Sequence, residues 1–284
     1  QARRSDSRHT ALDLERVLAH GTARVAPLRR TPRADLDAVT FVPLGGERPM
    51  TWAESLAANY TDGIVVLHRG RIVYEKYFGA LTAGGEHLAL SVSKSFVGTL
   101  AAVLVAEGAL DPAAPVTRYV PELAGSGFDG ATVEQVADMT TGLDFTEDHA
   151  RPGSTFVAYA RATGMFPRPP GDASPASGPE FLRTLGRRGD HGAAFTYRSP
   201  NTDALAWIIA RATGRPVDAL LQERIWSRLG AEADASWSLD ASGTPAAAGG
   251  LSLRLRDLAR FGEMLRLDGR LGGRQVIPAA AVAA

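Results

Sequence analysis

The stretch from Ser91 to Glu107 carries Phe96, Val97, Leu100, Ala101, Val103, Leu104 and Val105, so that as a helix it is apolar almost all round. A helix without a polar face has to be covered on every side, and this demands further layers packed around it. With 284 residues and 45% apolar content, the chain has the material for one large domain or two modest ones around such a core. The longest apolar run, Phe96 to Ala106, holds 11 residues and is too short to span a bilayer. Gly108 and Asp111-Pro112 stop the helix.

Charge and cysteine usage exclude several classes of function. The 31 basic and 31 acidic side chains cancel, leaving no electrostatic footprint for nucleic acid or an anionic membrane. Cysteine is absent, so disulfides, thiol nucleophiles and Cys-based metal sites are excluded. The start Gln1-Ala2-Arg3-Arg4-Ser5-Asp6 has no apolar h-region behind it. No signal peptide is read there, and a cytoplasmic location is expected.

Along the chain, residues 1–50 are Arg- and Pro-rich and read as a mostly irregular arm, with one short helical candidate at Leu12–Ala19. Gly63–His68 and Arg71–Phe78 are β-rich runs about the pair Arg69-Gly70, a hairpin signal. Thr132-Val133-Glu134-Gln135 predicts a capping box opening a short helix that ends at Gly142. Residues 150–180 hold six prolines and four glycines and read as one long irregular loop. Helices are expected over Asn201–Thr213, Val217–Leu229 and Arg256–Leu267. Three segments follow: an arm and hairpin over 1–90, a helical stretch over 91–245, and a return to the mixed layer over 246–284.

Only two lysines occur in the chain, and one of them, Lys94, follows Ser91 by three residues. The two side chains share a helix face, about 5–6 Å apart at Cβ. Arginine stays protonated in proteins, whereas a lysine shielded from water can lose its proton. A neutral amine one turn from a serine hydroxyl turns that hydroxyl into a nucleophile. Burial inside the apolar helix is expected to supply the shift; reaching the ~7–8 useful for a base from near 10.4 takes roughly 3–5 kcal/mol. The helix start also offers the Ser91 N–H to a developing oxyanion. Tyr197, just ahead of the Asn201 helix, is placed to relay a proton to a leaving group, although Ser199 or Asn201 serves equally as a plain N-cap there. His149 opens the Pro-rich loop and is a candidate substrate contact. The six histidines show no metal-ligand spacing, and no Gly-x-Ser-x-Gly elbow or phosphate loop occurs.

Taken together, Ile64–Gly79, the run Leu90-Ser91-Val92-Ser93-Lys94-Ser95-Phe96, Pro115–Phe145, Phe195–Thr213 and Gly249-Gly250-Leu251-Ser252 with Asp257–Arg260 resemble a known family. The chain is similar to serine hydrolases of the β-lactamase / penicillin-binding-protein superfamily, nearest the carboxylesterase-like branch that includes the 6-aminohexanoate-dimer hydrolases. The resemblance implies an α+β, β-lactamase-like fold: an antiparallel sheet flanked by helices, plus an all-helical subdomain. It implies Ser91 as the acylated nucleophile, Lys94 as its base and Tyr197 as the first residue of a Tyr-x-Asn/Ser element with Ser199 as the third. No metal or organic cofactor is implied; the partner is a small ester or amide, and a homodimer is left open. Two departures stand out. The family's further C-terminal strands and third motif, Lys-Thr-Gly or a His-x-Gly variant, have no counterpart in this sequence, so the sheet and the second oxyanion donor are expected from outside it. Amide-cleaving members place a tyrosine where His149 stands, which favours ester cleavage. The alternatives are a class C-like β-lactamase or D-amino-acid peptidase, or a catalytically silent binding relative.

Overall fold

The helix Ser93–Ala106 is the hub of the computed structural model, which describes residues 15–18 and 26–283. Its residues Phe96, Val97, Leu100, Ala101, Val103 and Leu104 are buried, while Val105 is half-buried and Gly98 and Ala106 are exposed, so the cover expected on every side leaves one strip open. Phe96 stacks on Phe261 with ring centroids 3.9 Å apart and lies against Trp226 at 6.3 Å. Each such fully buried side chain is worth about 1.5–3 kcal/mol of transfer free energy. Helices Pro200–Thr213, Val217–Leu221 and Ala280–Ala283 pack around this hub.

The two larger sheets among the described residues have three and four strands. The hairpin Gly63–His68 and Arg71–Tyr77 pairs antiparallel from Gly63↔Tyr77 to His68↔Arg71, with a register slip between Val66 and Leu67. Its two-residue turn has φ of 52° at Arg69 and 74° at Gly70, the doubly positive geometry that matches strand twist. Arg29–Arg30 adds a short parallel strand on its outer edge. Helix Leu255–Arg266 covers the hairpin, and Arg256 Nε donates to Glu75 Oε1 across the contact at 2.6 Å. The second sheet is fully antiparallel, in the order Glu15–Leu18, Ala235–Ser238, Leu251–Arg254, Glu86–Leu88. Its edge strand Glu86–Leu88 runs directly into Ser91, and its neighbour Leu251–Arg254 directly follows Gly249-Gly250. Two stretches remote in sequence thereby meet at one sheet edge.

Several local expectations are corrected. Glu15–Leu18, inside the helical candidate Leu12–Ala19, is a strand, because pairing with Ala235–Ser238 overrides weak helical periodicity; residues 12–14 and 19 lie outside the described residues. The capping box forms as predicted, with Thr132 Oγ1 accepting from Gln135 N–H and the Gln135 side chain accepting from Thr132 N–H. The helix it opens stops at Ala137, not Gly142, because the chain turns at Met139 with φ 55°. The span 150–180 is not one loop: Thr155–Ala162 is a helix with Phe156, Tyr159, Ala160 and Ala162 buried, and Gly178–Thr184 is another. Prolines and glycines lie outside the first helix and, as Gly178 and Pro179, in the opening turn of the second, so neither helix is interrupted.

Candidate active site

Leu90 has φ of 46°, in the left-handed region that side chains other than glycine's rarely enter. Holding it there costs on the order of 1–3 kcal/mol. The strain turns the chain sharply out of the sheet and into the short turn Leu90–Val92, leaving Ser91 exposed at the mouth of the Ser93–Ala106 helix. This is the positive end of the helix, where backbone N–H groups point outward.

Lys94, one turn on, places Nζ 3.1 Å from Ser91 Oγ and 2.7 Å from the carbonyl oxygen of Ala248. The same nitrogen lies 5.1 Å from the centre of the Tyr197 ring. Ser91 and Lys94 are therefore brought together with Tyr197 from a second stretch of chain and with Ala248 from a third. One expectation fails: Lys94 is half-buried rather than enclosed in the dry core. Ser91, Val92 and Ser95 around it are exposed, so the start of the helix reaches the surface while Phe96, Val97 and Leu100 behind it are buried. Leu90, Val92 and Tyr197, which border the opening, are large and exposed, as is Met165, whose Cε and the Leu90 backbone both approach Gly249.

The Tyr197 segment is pinned from behind. Thr196 N–H donates to Met139 O at 2.9 Å, Arg198 donates to Thr141 O at 2.6 Å, and Thr141 Oγ1 donates to buried Asn201 at 2.7 Å. Ser199 does not line the opening. It is buried, and its N–H donates to the Glu147 carboxylate. His149 lies on the exposed side of the same carboxylate, with Nε2 3.3 Å from Glu147 Oε2 and its ring stacked 3.9 Å from Phe156. Glu147, which nothing in the sequence singled out, thus ties the start of the Pro-rich loop to the Tyr197 segment.

A second cluster lies beneath Lys94. Asp203, in the first turn of the Pro200–Thr213 helix, is buried. Its Oδ1 accepts from Ala248 N–H at 3.0 Å and its Oδ2 accepts from the Tyr159 hydroxyl. Burial pushes the Asp203 carboxyl up to about 6, while the Tyr159 hydroxyl bond, the Ala248 N–H and the nearby Lys94 charge oppose that rise. The Tyr159 phenol is driven well above its ordinary value by burial and then by the Asp203 charge. Only the helix assignment hinted at Asp203; an acidic residue in a first helical turn is ordinarily a solvated dipole partner. On the far side, Leu251 N–H donates to Ser93 Oγ at 3.2 Å, locking the strand to the Ser93–Ala106 helix. Gly250 is packed so tightly that an added Cβ would fall 2.6 Å from Ser238 Oγ and 2.9 Å from Ala246 O.

The Beta-lactamase family profile matches residues 53–283. The chain belongs to the Beta-lactamase family. Within it, the chain is 42% identical over 251 residues to the 6-aminohexanoate-dimer hydrolase of Paenarthrobacter ureafaciens, an overlap of 87% of this chain and 63% of that relative. It superposes with a TM-score of 0.87 on a Bacillus anthracis protein described as a candidate 6-aminohexanoate-dimer hydrolase, at 28% identity, covering 96% of this chain and 70% of the other. A class C β-lactamase superposes at a TM-score of 0.57 and 19% identity, over 82% of this chain and 66% of its own, and shares the fold. The β-lactamase-like fold expected from the motifs is therefore the fold observed, and the chain spans under two thirds of the curated relative's length. Among the described residues, no helix is long and apolar enough to cross a membrane.

Proposed function

We propose that the protein is a serine hydrolase that cleaves small esters or amides through an acyl-enzyme on Ser91. The observation that carries this reading is the 3.1 Å contact between Lys94 Nζ and Ser91 Oγ, with the amine also anchored on Ala248 O and Tyr197 beside it. Lys94 accepts the Ser91 proton as Oγ bonds to the substrate carbonyl carbon, and the carbonyl oxygen takes up the electron pair. The Ser91 N–H, at the positive end of the helix, donates to that oxyanion. As the tetrahedral centre collapses, the bond to the leaving group breaks, and Tyr197 passes it the proton. Water then attacks the ester on Ser91 with the same groups acting in reverse, and the acid is released. Every step uses side chains, backbone and water, without a metal or organic cofactor.

Ester cleavage is the foremost activity. His149 is stacked on Phe156 and paired with Glu147, and carries no phenol that could serve a poor amine leaving group. The relatives named for 6-aminohexanoate dimers support linear amides as the second substrate class. A fluorophosphonate probe applied to the full-length protein should label Ser91, and Ser91→Ala should abolish turnover of a short-chain nitrophenyl ester. Full turnover by Ser91→Ala would overturn the reading. Nitrocefin hydrolysis at a rate comparable to the ester would place the activity with β-lactams instead.

A further inference from the structure

Asp203 has no part in the reaction just described, yet it is buried, acidic and one residue removed from the catalytic amine. The backbone of Ala248 is the link. Its carbonyl oxygen accepts from Lys94 Nζ at 2.7 Å, and its N–H donates to Asp203 Oδ1 at 3.0 Å. The other carboxylate oxygen is held by the Tyr159 hydroxyl, whose ring is itself fully enclosed between Phe145, Phe156 and Phe181. A continuous chain of hydrogen bonds therefore runs Tyr159–Asp203–Ala248–Lys94–Ser91. A buried carboxylate is costly unless its charge is needed or matched. A positive charge arising on Lys94 is the one that would match it.

We propose that Asp203 is a positioning residue: through Ala248 it holds the Lys94 amine against Ser91, and its charge stabilises the Lys94 ammonium that forms as Ser91 attacks. The inference rests on the hydrolase reading above. No bond to Asp203 is made or broken; the proton moves from Ser91 Oγ to Lys94 Nζ and stays there until the leaving group departs. The groups facing the carboxylate are Tyr159 from helix Thr155–Ala162, Lys94 from the Ser93–Ala106 helix and the Ala247 and Ala248 amides. Glu147 and Tyr197 act at longer range, through Tyr159. Asp240 lines a small cavity together with Asp203, but its Oδ2 accepts from Gly178 N–H at 2.7 Å and its Oδ1 accepts from the Ser242 N–H and hydroxyl at 2.8 and 2.6 Å.

The test measures the second-order rate of fluorophosphonate labelling of Ser91 in the full-length protein from pH 5 to 8, with thermal melting recorded alongside. Asp203→Ala removes both the acceptor and the charge and should label at least about 10-fold more slowly. Asp203→Asn keeps an acceptor for Ala248 N–H but loses the charge, so at pH 7.5 it should fall between wild type and Asp203→Ala. The wild-type advantage over Asp203→Asn should shrink as pH falls through about 6, where the carboxyl takes up its proton. A residue with a purely structural role would leave that ratio flat. Should Asp203→Ala fail to fold, the Asp203→Asn comparison decides. Asp203→Asn labelling at the wild-type rate across the whole range overturns the proposal, with the hydrolase reading intact. Wild-type Ser91 left unlabelled would overturn the hydrolase reading itself.

Discussion

Lys94 is the residue at which substitution is most informative, because arginine matches its charge but not its chemistry. Lys94→Arg retains a cation beside Ser91 and Ala248 O, yet a guanidinium cannot accept the Ser91 proton. Ester turnover should fall by about 10²–10⁴-fold in kcat with a small change in melting temperature, measured by steady-state kinetics against a melt. Tyr197→Phe removes the relay hydroxyl from an exposed ring and should lower kcat more than it changes KM. At this scale the sequence was most legible for Ser91, Lys94 and Tyr197. A scarce lysine one turn after a serine is a pattern with few other uses, and the order of motifs located the tyrosine. Ser199 is the counterexample. The Glu147 carboxylate claims its N–H, and the side chain is buried. Glu147 left no trace in the sequence and Asp203 only its place in a first helical turn, because their roles depend on partners 52 and 45 positions away.

Secondary elements were legible where punctuation was local. The hairpin turn at Arg69-Gly70, the capping box at Thr132 and the Gly214 stop of the Pro200–Thr213 helix are all written in adjacent residues. Thr132→Ala deletes one of the two reciprocal capping bonds and should destabilise by about 1 kcal/mol, read from a denaturant midpoint. The Thr155–Ala162 helix was hidden by the prolines and glycines that bracket it, and the strands Ala235–Ser238 and Leu251–Arg254 by their length of four residues each. Such short strands are defined by pairing, not propensity. Gly250 marks where pairing brings two backbones too close for a side chain. Gly250→Ala would press a methyl against Ser238 Oγ and Ala246 O, forcing the strand and the adjoining Ala248 to shift. It should cost about 1–3 kcal/mol of stability, and ester turnover should fall with it because Lys94 loses its anchor; calorimetry and kinetics on one preparation would check both.

Across the whole molecule, stability and activity pull on the same carboxyl. Asp203 is pushed up to about 6 from an ordinary 3.8, chiefly by burial. A raised carboxyl favours the folded state fully below the unfolded value, and that contribution is lost as pH rises through the folded value. A rise of that size corresponds to on the order of 3 kcal/mol between pH 4 and 7. Relative to Asp203→Asn, the wild type should therefore lose stability as pH increases over that window, measurable by paired calorimetric melts. A difference independent of pH would show that the carboxyl does not titrate in this range. The fold thus keeps a charge that burial disfavours, directly beneath the amine it serves.

Periodicity and short-range motifs were sufficient for the buried central helix, the hairpin, the serine–lysine pair and the family resemblance, because each depends on residues within one or two turns of one another. Tertiary structure alone settled three matters: the half-buried setting of Lys94, the meeting of the Ser91 turn with Ala248, and the carboxylate beneath them. Those depend on strand Leu251–Arg254 pairing with Glu86–Leu88 across more than half the chain. Contacts at that separation are selected by packing of the whole core, and no local pattern of side chains encodes them.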